Sequence, residues 1–369
     1  MNLLPSENYS SPAVRAALSL DLANRYTSTD HFYMGTRYID EIQNETERLA
    51  RDVFRAKYAD VRPISGHAAD MVVLTALARR GDKIMTVGVQ NGGYAGISAD
   101  GFPKLLGLQV SEFPFDRGKF NIDVEKATAA LEEEKPRLVV FGASLFLFAH
   151  PVRQLAGVCQ RTGAYVAYDG SHVLGLIAGG QFQDPLREGA TVLLGSTHKS
   201  FFGPQGGIIL ANDHEPSLTG AIHPAIVDNA HWNRIAALHV ALSEMKKSGR
   251  QYATQVVRNS KALAKALDEQ GVKLLGKESG FTESHQTIVD VQSLNEGNRL
   301  ARRLEEANII VDIGVRIGTS EETRRGLSER EMERIAELIA RVWIEGEDPK
   351  KVRRDVLRIR REFPSIRYA

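Results

Sequence analysis

At 369 residues, 43% hydrophobic and 25% charged, the chain has the composition of an ordinary globular protein, long enough for a large domain and a smaller one. A formal net charge of +1 gives no electrostatic ground for a nucleic-acid or membrane partner, and no apolar run approaches the roughly 20 residues of a membrane span. The single Cys159 excludes an internal disulfide framework and a multi-cysteine zinc site, no other metal site suggests itself, and with no apolar leader before Pro5 the expected location is the cytoplasm.

Residues 1–38 read as an irregular N-terminal segment with a short helix over Ser11–Leu20, Pro12 fitting its first turn. Asp40–Lys57 follows as an amphipathic helix carrying Ile42, Leu49 and Phe54. Ile64-Ser65-Gly66-His67 comes after a short strand and opens a helix over Met71–Ala78. Free backbone N–H groups at a helix start, a glycine permitting close approach, and Ser65 and His67 as side-chain donors outline an anion site.

Strand and helix signals then alternate. Lys83–Val87, Leu108–Phe113, Leu138–Phe141, Tyr165–Tyr168 and Thr191–Leu194 read as strands, with helices over Val124–Glu133 and Val152–Thr162. Such alternation predicts an α/β fold whose mainly parallel sheet is covered by helices and binds ligands at the strands' carboxyl ends. The large domain is placed at 39–232 and a connecting helical stretch at 233–270. A small C-terminal α+β domain, 271–369, is expected to hold strands near Val272–Leu275, Thr287–Val291 and Ile309–Val311 and helices over Gly297–Ala307 and Glu329–Gly346. From Asp348, Val352, Val356 and Ile359 recur at helical spacing among Lys and Arg, a helix with its basic face in water.

The chemistry gathers around residues 190–207. A buried strand ends in Ser196-Thr197-His198-Lys199 before a Gly/Pro-rich turn. A poorly solvated lysine there has a lowered pKa and a free amine for a carbonyl, and pyridoxal phosphate (PLP) held as a Schiff base on Lys199 is the obvious one. Drawing electrons from a substrate α-carbon requires an acid partner for the pyridine nitrogen; Asp169, at the end of another buried strand, is the candidate, and capping the next helix is its bland alternative. His172 packs beside the ring, bonds its phenolic oxygen, or is a satisfied buried histidine. Ser144 bonds ring substituents or caps a turn. Tyr94, after Gly92-Gly93, stacks on a flat ligand or packs in the core. Ser196 offers a hydroxyl to phosphate, and His198 an imidazole for proton transfer. Arg316, in an otherwise apolar strand, suits an amino acid's carboxylate or a buried ion pair.

Taken in order, Leu4-Pro5-Ser6-Glu7-Asn8-Tyr9, Tyr38-Ile39-Asp40-Glu41, Ser65-Gly66, Gly92-Gly93, Gly142-Ala143-Ser144, Asp169-Gly170-Ser171-His172, Ser196-Thr197-His198-Lys199 and Val315-Arg316-Ile317-Gly318-Thr319 resemble the serine hydroxymethyltransferase family. The resemblance covers nearly the whole chain and implies a fold-type I PLP-dependent transferase. By it, Lys199 is the Schiff-base residue, Asp169 pairs the pyridine nitrogen and Tyr94 takes a ring-stacking place usually held by histidine. Arg316 and Ser6 bind the substrate carboxylate, and Ser65, Gly66 and His67 hold the phosphate. Tyr26 and Asn229 join the site from the second subunit of a homodimer.

The resemblance also has gaps. The segment Thr27-Ser28-Thr29-Asp30-His31 lacks the glutamate that serves the family's folate reaction, and only Asp312-Ile313-Gly314 stands where a long folate-holding loop precedes the arginine strand. Gln205 and Asn91 replace an arginine and a histidine. The expected activity is therefore folate-independent bond making or breaking at the α-carbon of a small amino acid, of aldol or hydroxymethyl-transfer type, with an aldehyde as possible co-substrate. Asp30, His31, His198 and Tyr33 are the candidate bases. Conventional folate-dependent hydroxymethyl transfer, aminotransfer and a PLP-fold protein that only binds a partner are the alternatives.

Overall fold

Unbroken apolar runs become strands buried on both faces, and these form the frame of the molecule. The computed structural model describes residues 1–27, 32–213 and 216–369. Its strands are β1 (Tyr58–Asp60), β2 (Lys83–Thr86), β3 (Gln109–Glu112), a short hairpin of β4 (Phe115–Asp116) and β5 (Asn121–Ile122), β6 (Leu138–Phe141), β7 (Tyr165–Asp169), β8 (Val192–Ser196), β9 (Gly207–Ala211), β10 (Gln286–Ile288) and β11 (Arg316–Gly318). Seven form one sheet in the order β1-β9-β8-β7-β6-β2-β3. From β3 to β8 neighbouring strands are parallel, and β9 runs antiparallel to both β8 and β1. Every residue of β6, β8 and β9 is buried. This is an α/β fold with a mainly parallel sheet covered by helices.

Helices at Arg37–Phe54, Gly66–Leu77, Val124–Glu134 and Val152–Thr162 cover the sheet. The second of these starts at Gly66 rather than at the expected Met71, because Ser65 caps it by accepting the Ala68 N–H at 2.9 Å. The stretch expected to be helix-rich is one 38-residue helix, Trp232–Glu269. Its first two thirds, with Leu238 and Tyr252, pack into the large apolar core around the sheet; Leu263 and Leu267 pack into a second core with Leu304, Ile335 and Val356.

The second core has less sheet than expected. Among its described residues only β10 and β11 pair as strands, antiparallel. Val272–Leu275 and Ile309–Val311 contribute isolated bridges, Leu274 to Val289 and Ile310 to Asn2. The chain's first residues take the edge at Ile310: Leu3 donates to its carbonyl and its own N–H donates to Met1, each at 2.9 Å. Local periodicity carries no sign of a pairing across some 300 residues. The basic tail forms the helix Pro349–Glu362 with Val352, Val356 and Ile359 buried. Among the described residues no helix is long and apolar enough to cross a membrane.

Candidate active site

The carboxyl ends of β6, β7 and β8 stand side by side at one cleft, where the loops and helix starts that follow a parallel sheet's strands offer backbone donors and room for a ligand. Asp169 closes β7, and its Oδ1 accepts the Ser171 N–H at 2.9 Å. Ser171 Oγ in turn accepts the Ser196 N–H at 3.0 Å and lies 3.2 Å from Ser196 Oγ, locking the ends of β7 and β8 together. Gly142 follows β6 with φ +116°, and a Cβ there would stand 2.2 Å from the Asp169 carbonyl oxygen. The chain needs glycine at this point.

Lys199 sits three residues beyond β8 and forms no ion pair among the described residues. Burial lowers its pKa; Asp169 and Asp70 pull it back up, and Arg316 pushes it down. Its Nζ lies 3.4 Å from Nε2 of His172. Asn8 ties the lysine's loop to the N-terminal segment, donating to the Lys199 carbonyl at 2.8 Å. His198 is driven to about 4 by burial and then by the Lys199 charge, and its buried Nδ1 has no partner, so it is a neutral imidazole with an unused nitrogen.

Around this centre the remaining candidates take distinct places. Ser65 caps its helix, which leaves its own hydroxyl hydrogen available to a ligand. A Cβ at Gly66 would stand 2.2 Å from Ser196 Oγ, so the turn and the end of β8 form a cradle only glycine permits. His67 is exposed, with its ring 4.0 Å from that of Phe102 and its Nδ1 2.6 Å from Tyr94 Oη. Tyr94 is pushed up to about 12 by burial, then by Asp70 and Asp169. Ser144 presents its carbonyl to two donors, Arg316 Nη1 at 2.8 Å and Gln286 Nε2 at 3.2 Å.

Arg316 opens β11 and pairs its Nε with Asp312 Oδ2 at 2.6 Å, while its N–H caps on Asp312 Oδ1. The ion-pair alternative is thus realised, yet the Nη1–Nη2 edge still has hydrogens free for a carboxylate. Ser6 follows Pro5, whose carbonyl accepts from His285 Nε2 at 3.1 Å and whose Cα would stand 2.5 Å from a Cβ on Gly318. Among the described residues no hydrogen bond links Tyr26, Tyr33 or Asn229 to Lys199 or Asp169. The rings of Tyr26 and Tyr33 lie 5.4 Å apart and tilted by 50°, 52% and 41% exposed, and Asn229 Oδ1 is buried without a partner. Asp30 and His31 lie outside the described residues.

Two residues of the cleft escape a reading of the sequence. Asp70 is a buried acid raised well above its ordinary pKa by burial and by Asp169; its one signal is a lone carboxylate in an apolar helix. Gln286 is fully buried and bonds three groups of the site, and its signal is the polar pair His285-Gln286 ahead of an apolar strand.

An amine whose charge burial disfavours, a carboxylate on the neighbouring strand end, a glycine cradle beside capping hydroxyls and an aromatic ring are the donor set PLP requires, and these residues fit it. The serine hydroxymethyltransferase family model matches residues 1–339. A serine hydroxymethyltransferase of Methanocella arvoryzae is 44% identical over 385 positions, spanning 99% of this chain and 91% of that one. One of Pyrococcus horikoshii is 43% identical over 394 positions, spanning 100% and 92%. The crystal structure of an L-threonine transaldolase from Pseudomonas fluorescens matches with a TM-score of 0.92 at 27% identity, covering 100% of this chain and 89% of that one.

Proposed function

Because this chain belongs to the serine hydroxymethyltransferase family and is a PLP-dependent enzyme, we propose that it makes or breaks a bond at the α-carbon of a small amino acid in an aldol-type reaction that needs no folate. One observation carries the folate-free reading. The turn before β11 is so short that Asp312 folds directly onto Arg316, leaving no long loop over the cleft. The alignment to the Pyrococcus horikoshii relative, at 394 positions, is longer than this chain, so that relative has residues within it that this chain lacks.

Ser65, Gly66, His67 and Ser196 would hold the phosphate, Tyr94 a ring face, Asp169 the pyridine nitrogen, and Ser144 and His172 the ring substituents. When bound, the cofactor supplies the sink for the electron pair left at the α-carbon. Arg316, through its Nη1–Nη2 edge, and Ser6 bind the substrate carboxylate. Lys199, whose pKa burial lowers, takes and returns a proton at the α-carbon. His198, neutral and with a free nitrogen, is the acceptor for a β-hydroxyl proton, with Tyr33, Asp30 and His31 as the other candidates. The likeness to a threonine transaldolase supports an aldehyde as second substrate. Tyr26 and Asn229 complete the site from a second copy, a role supported by the exposed aromatic surface of Tyr26 and Tyr38.

Conventional folate-dependent hydroxymethyl transfer is the second reading, favoured by the names of the 43–44% identical relatives. Glycine in deuterated water, followed by NMR with and without tetrahydrofolate, and threonine and serine cleavage under the same conditions separate the two. Exchange of the glycine α-proton and threonine cleavage without folate are expected. Serine cleavage that depends strictly on tetrahydrofolate overturns the proposal.

A further inference from the structure

We infer that Gln286 is a positioning residue that fixes His172 as the neutral imidazole protonated at Nε2, so that the ring meets Lys199 as a hydrogen-bond donor and never as an acceptor. The argument begins with an amide that has only one orientation. The Phe146 backbone N–H, which can only donate, lies 3.1 Å from Gln286 Oε1. The Ser144 carbonyl, which can only accept, lies 3.2 Å from Gln286 Nε2. Two backbone groups with opposite and unalterable character therefore settle which end of the amide is nitrogen. One Nε2 hydrogen goes to Ser144, and the other points at His172 Nδ1, 3.0 Å away.

An Nδ1 that accepts carries no proton, so in the neutral ring the proton is on Nε2. That nitrogen faces Lys199 Nζ at 3.4 Å. An ammonium there would set a donor against a donor; a free amine offers its lone pair to the imidazole N–H. The tautomer thus favours the uncharged lysine that the proposed chemistry uses.

The surroundings keep the ring neutral. His285 stacks on His172 at 5.8 Å, and because its Nε2 donates to the Pro5 carbonyl it too is an Nε2-protonated ring. Burial first, then Lys199, His285, Arg316 and His198, hold His172 well below its ordinary pKa. Facing Lys199 are Asp169 and Asp70, which favour its charge, and Arg316, which opposes it. Since Ser144 O accepts from both Gln286 and Arg316, the lysine's histidine and the arginine expected to bind substrate hang on one backbone carbonyl.

This inference deepens the proposed function and rests on it only for its catalytic meaning. The test uses the full chain freed of cofactor, with isotope-labelled histidine read by nitrogen NMR, and His172→Asn to identify the signals. Wild type is expected to show His172 protonated at Nε2 alone. Gln286→Glu places a carboxylate against Nδ1 and is expected to reverse the pattern; Gln286→Met, close in volume, is expected to give a mixture. A second readout is the pH midpoint for coupling of Lys199 to added PLP, expected to rise by about one unit in Gln286→Glu, a roughly tenfold loss of reactive amine at a given pH. A wild-type ring protonated at Nδ1 or doubly protonated at neutral pH overturns the inference, as does an unchanged pattern in both variants. Should Gln286→Glu not fold, wild type and Gln286→Met still decide. A chain that takes up no PLP sinks the functional proposal while the nitrogen pattern still answers for the tautomer.

Discussion

Asn8 donates its side-chain amide to the Lys199 carbonyl at 2.8 Å and also bonds the Tyr252 hydroxyl at 2.9 Å, which itself donates to the Ser200 carbonyl at 3.0 Å. Three distant parts of the chain thereby hold one turn: the N-terminal segment, the long helix and the loop after β8. Asn8→Ala leaves the Lys199 carbonyl without that partner. We expect a loss of about 1–3 kcal/mol in unfolding free energy, read from urea denaturation, and weaker PLP retention on dialysis from the loosened loop.

Gly66 is where the cofactor cradle leaves no room. A methyl group there meets Ser196 Oγ at 2.2 Å and the Ser196 backbone nitrogen at 3.0 Å, and β8 is packed on both sides and cannot retreat. Gly66→Ala should cost about 1–3 kcal/mol of stability and at least roughly tenfold in PLP affinity, read by titrating the visible band of the bound cofactor. Unchanged affinity would remove this turn from the phosphate site.

Much of this was legible beforehand, and the reasons differ by element. β6, β7 and β8 are unbroken apolar runs separated by a helical pattern, so burial and direction follow from the spacing alone. β9 was not anticipated, because Gly207–Ala211 follows a Gly/Pro turn directly and its reversal against β8 leaves no mark in the run itself. Lys199 and Asp169 stand at strand ends, where any parallel sheet places its chemistry. Gln286 acts on a histidine more than a hundred positions away, and its orientation is set by two backbone groups that no side-chain pattern records.

Arg316 is expected to separate binding from turnover. Its Nε is committed to Asp312, so a carboxylate must be taken by the Nη1–Nη2 edge, a geometry lysine cannot copy. Arg316→Lys should weaken glycine binding roughly 30-fold or more, about 2 kcal/mol, measured as the substrate-induced change in the visible spectrum, with PLP content unchanged. Equal glycine affinity in the variant would leave Arg316 as a purely structural partner of Asp312.

Three buried histidines, His150, His172 and His285, and the partly exposed His198 give the protein an acid limit. Burial drives His150 to about 3, His198 and His285 to about 4, and His172 well below the ordinary value. In the unfolded chain each binds a proton near pH 6.5, so below that pH the unfolded state holds more protons and stability falls as pH drops toward 4. The slope is about 1.4 kcal/mol per pH unit for each histidine before relaxation. His150→Gln, whose amide oxygen can take over the Gly142 N–H now accepted by Nδ1 at 3.1 Å, should shallow the slope by about one proton in urea melts between pH 4 and 6.5. An identical slope would show that His150 does not contribute.

Arg324 joins the C-terminal unit to the lysine's loop. Its side chain is fully buried, with Nη2 2.5 Å from Glu244 Oε2 and the guanidinium carbon 3.4 Å from the centroid of Phe202, three residues past Lys199. Removing the carboxylate leaves a buried cation without its counter-charge, whereas removing both partners leaves no buried charge and takes a donor only from the Tyr9 and Tyr368 carbonyls. Glu244→Ala should therefore cost about 3–5 kcal/mol, and Glu244→Ala with Arg324→Met should recover much of that. The thermal midpoints of the two single variants and the double variant form the cycle that measures it. Because Phe202 shares the turn with Lys199, the single Glu244 variant should also lose PLP faster than the double. Equal loss from both would mean that the ion pair stabilises the chain without steadying the lysine.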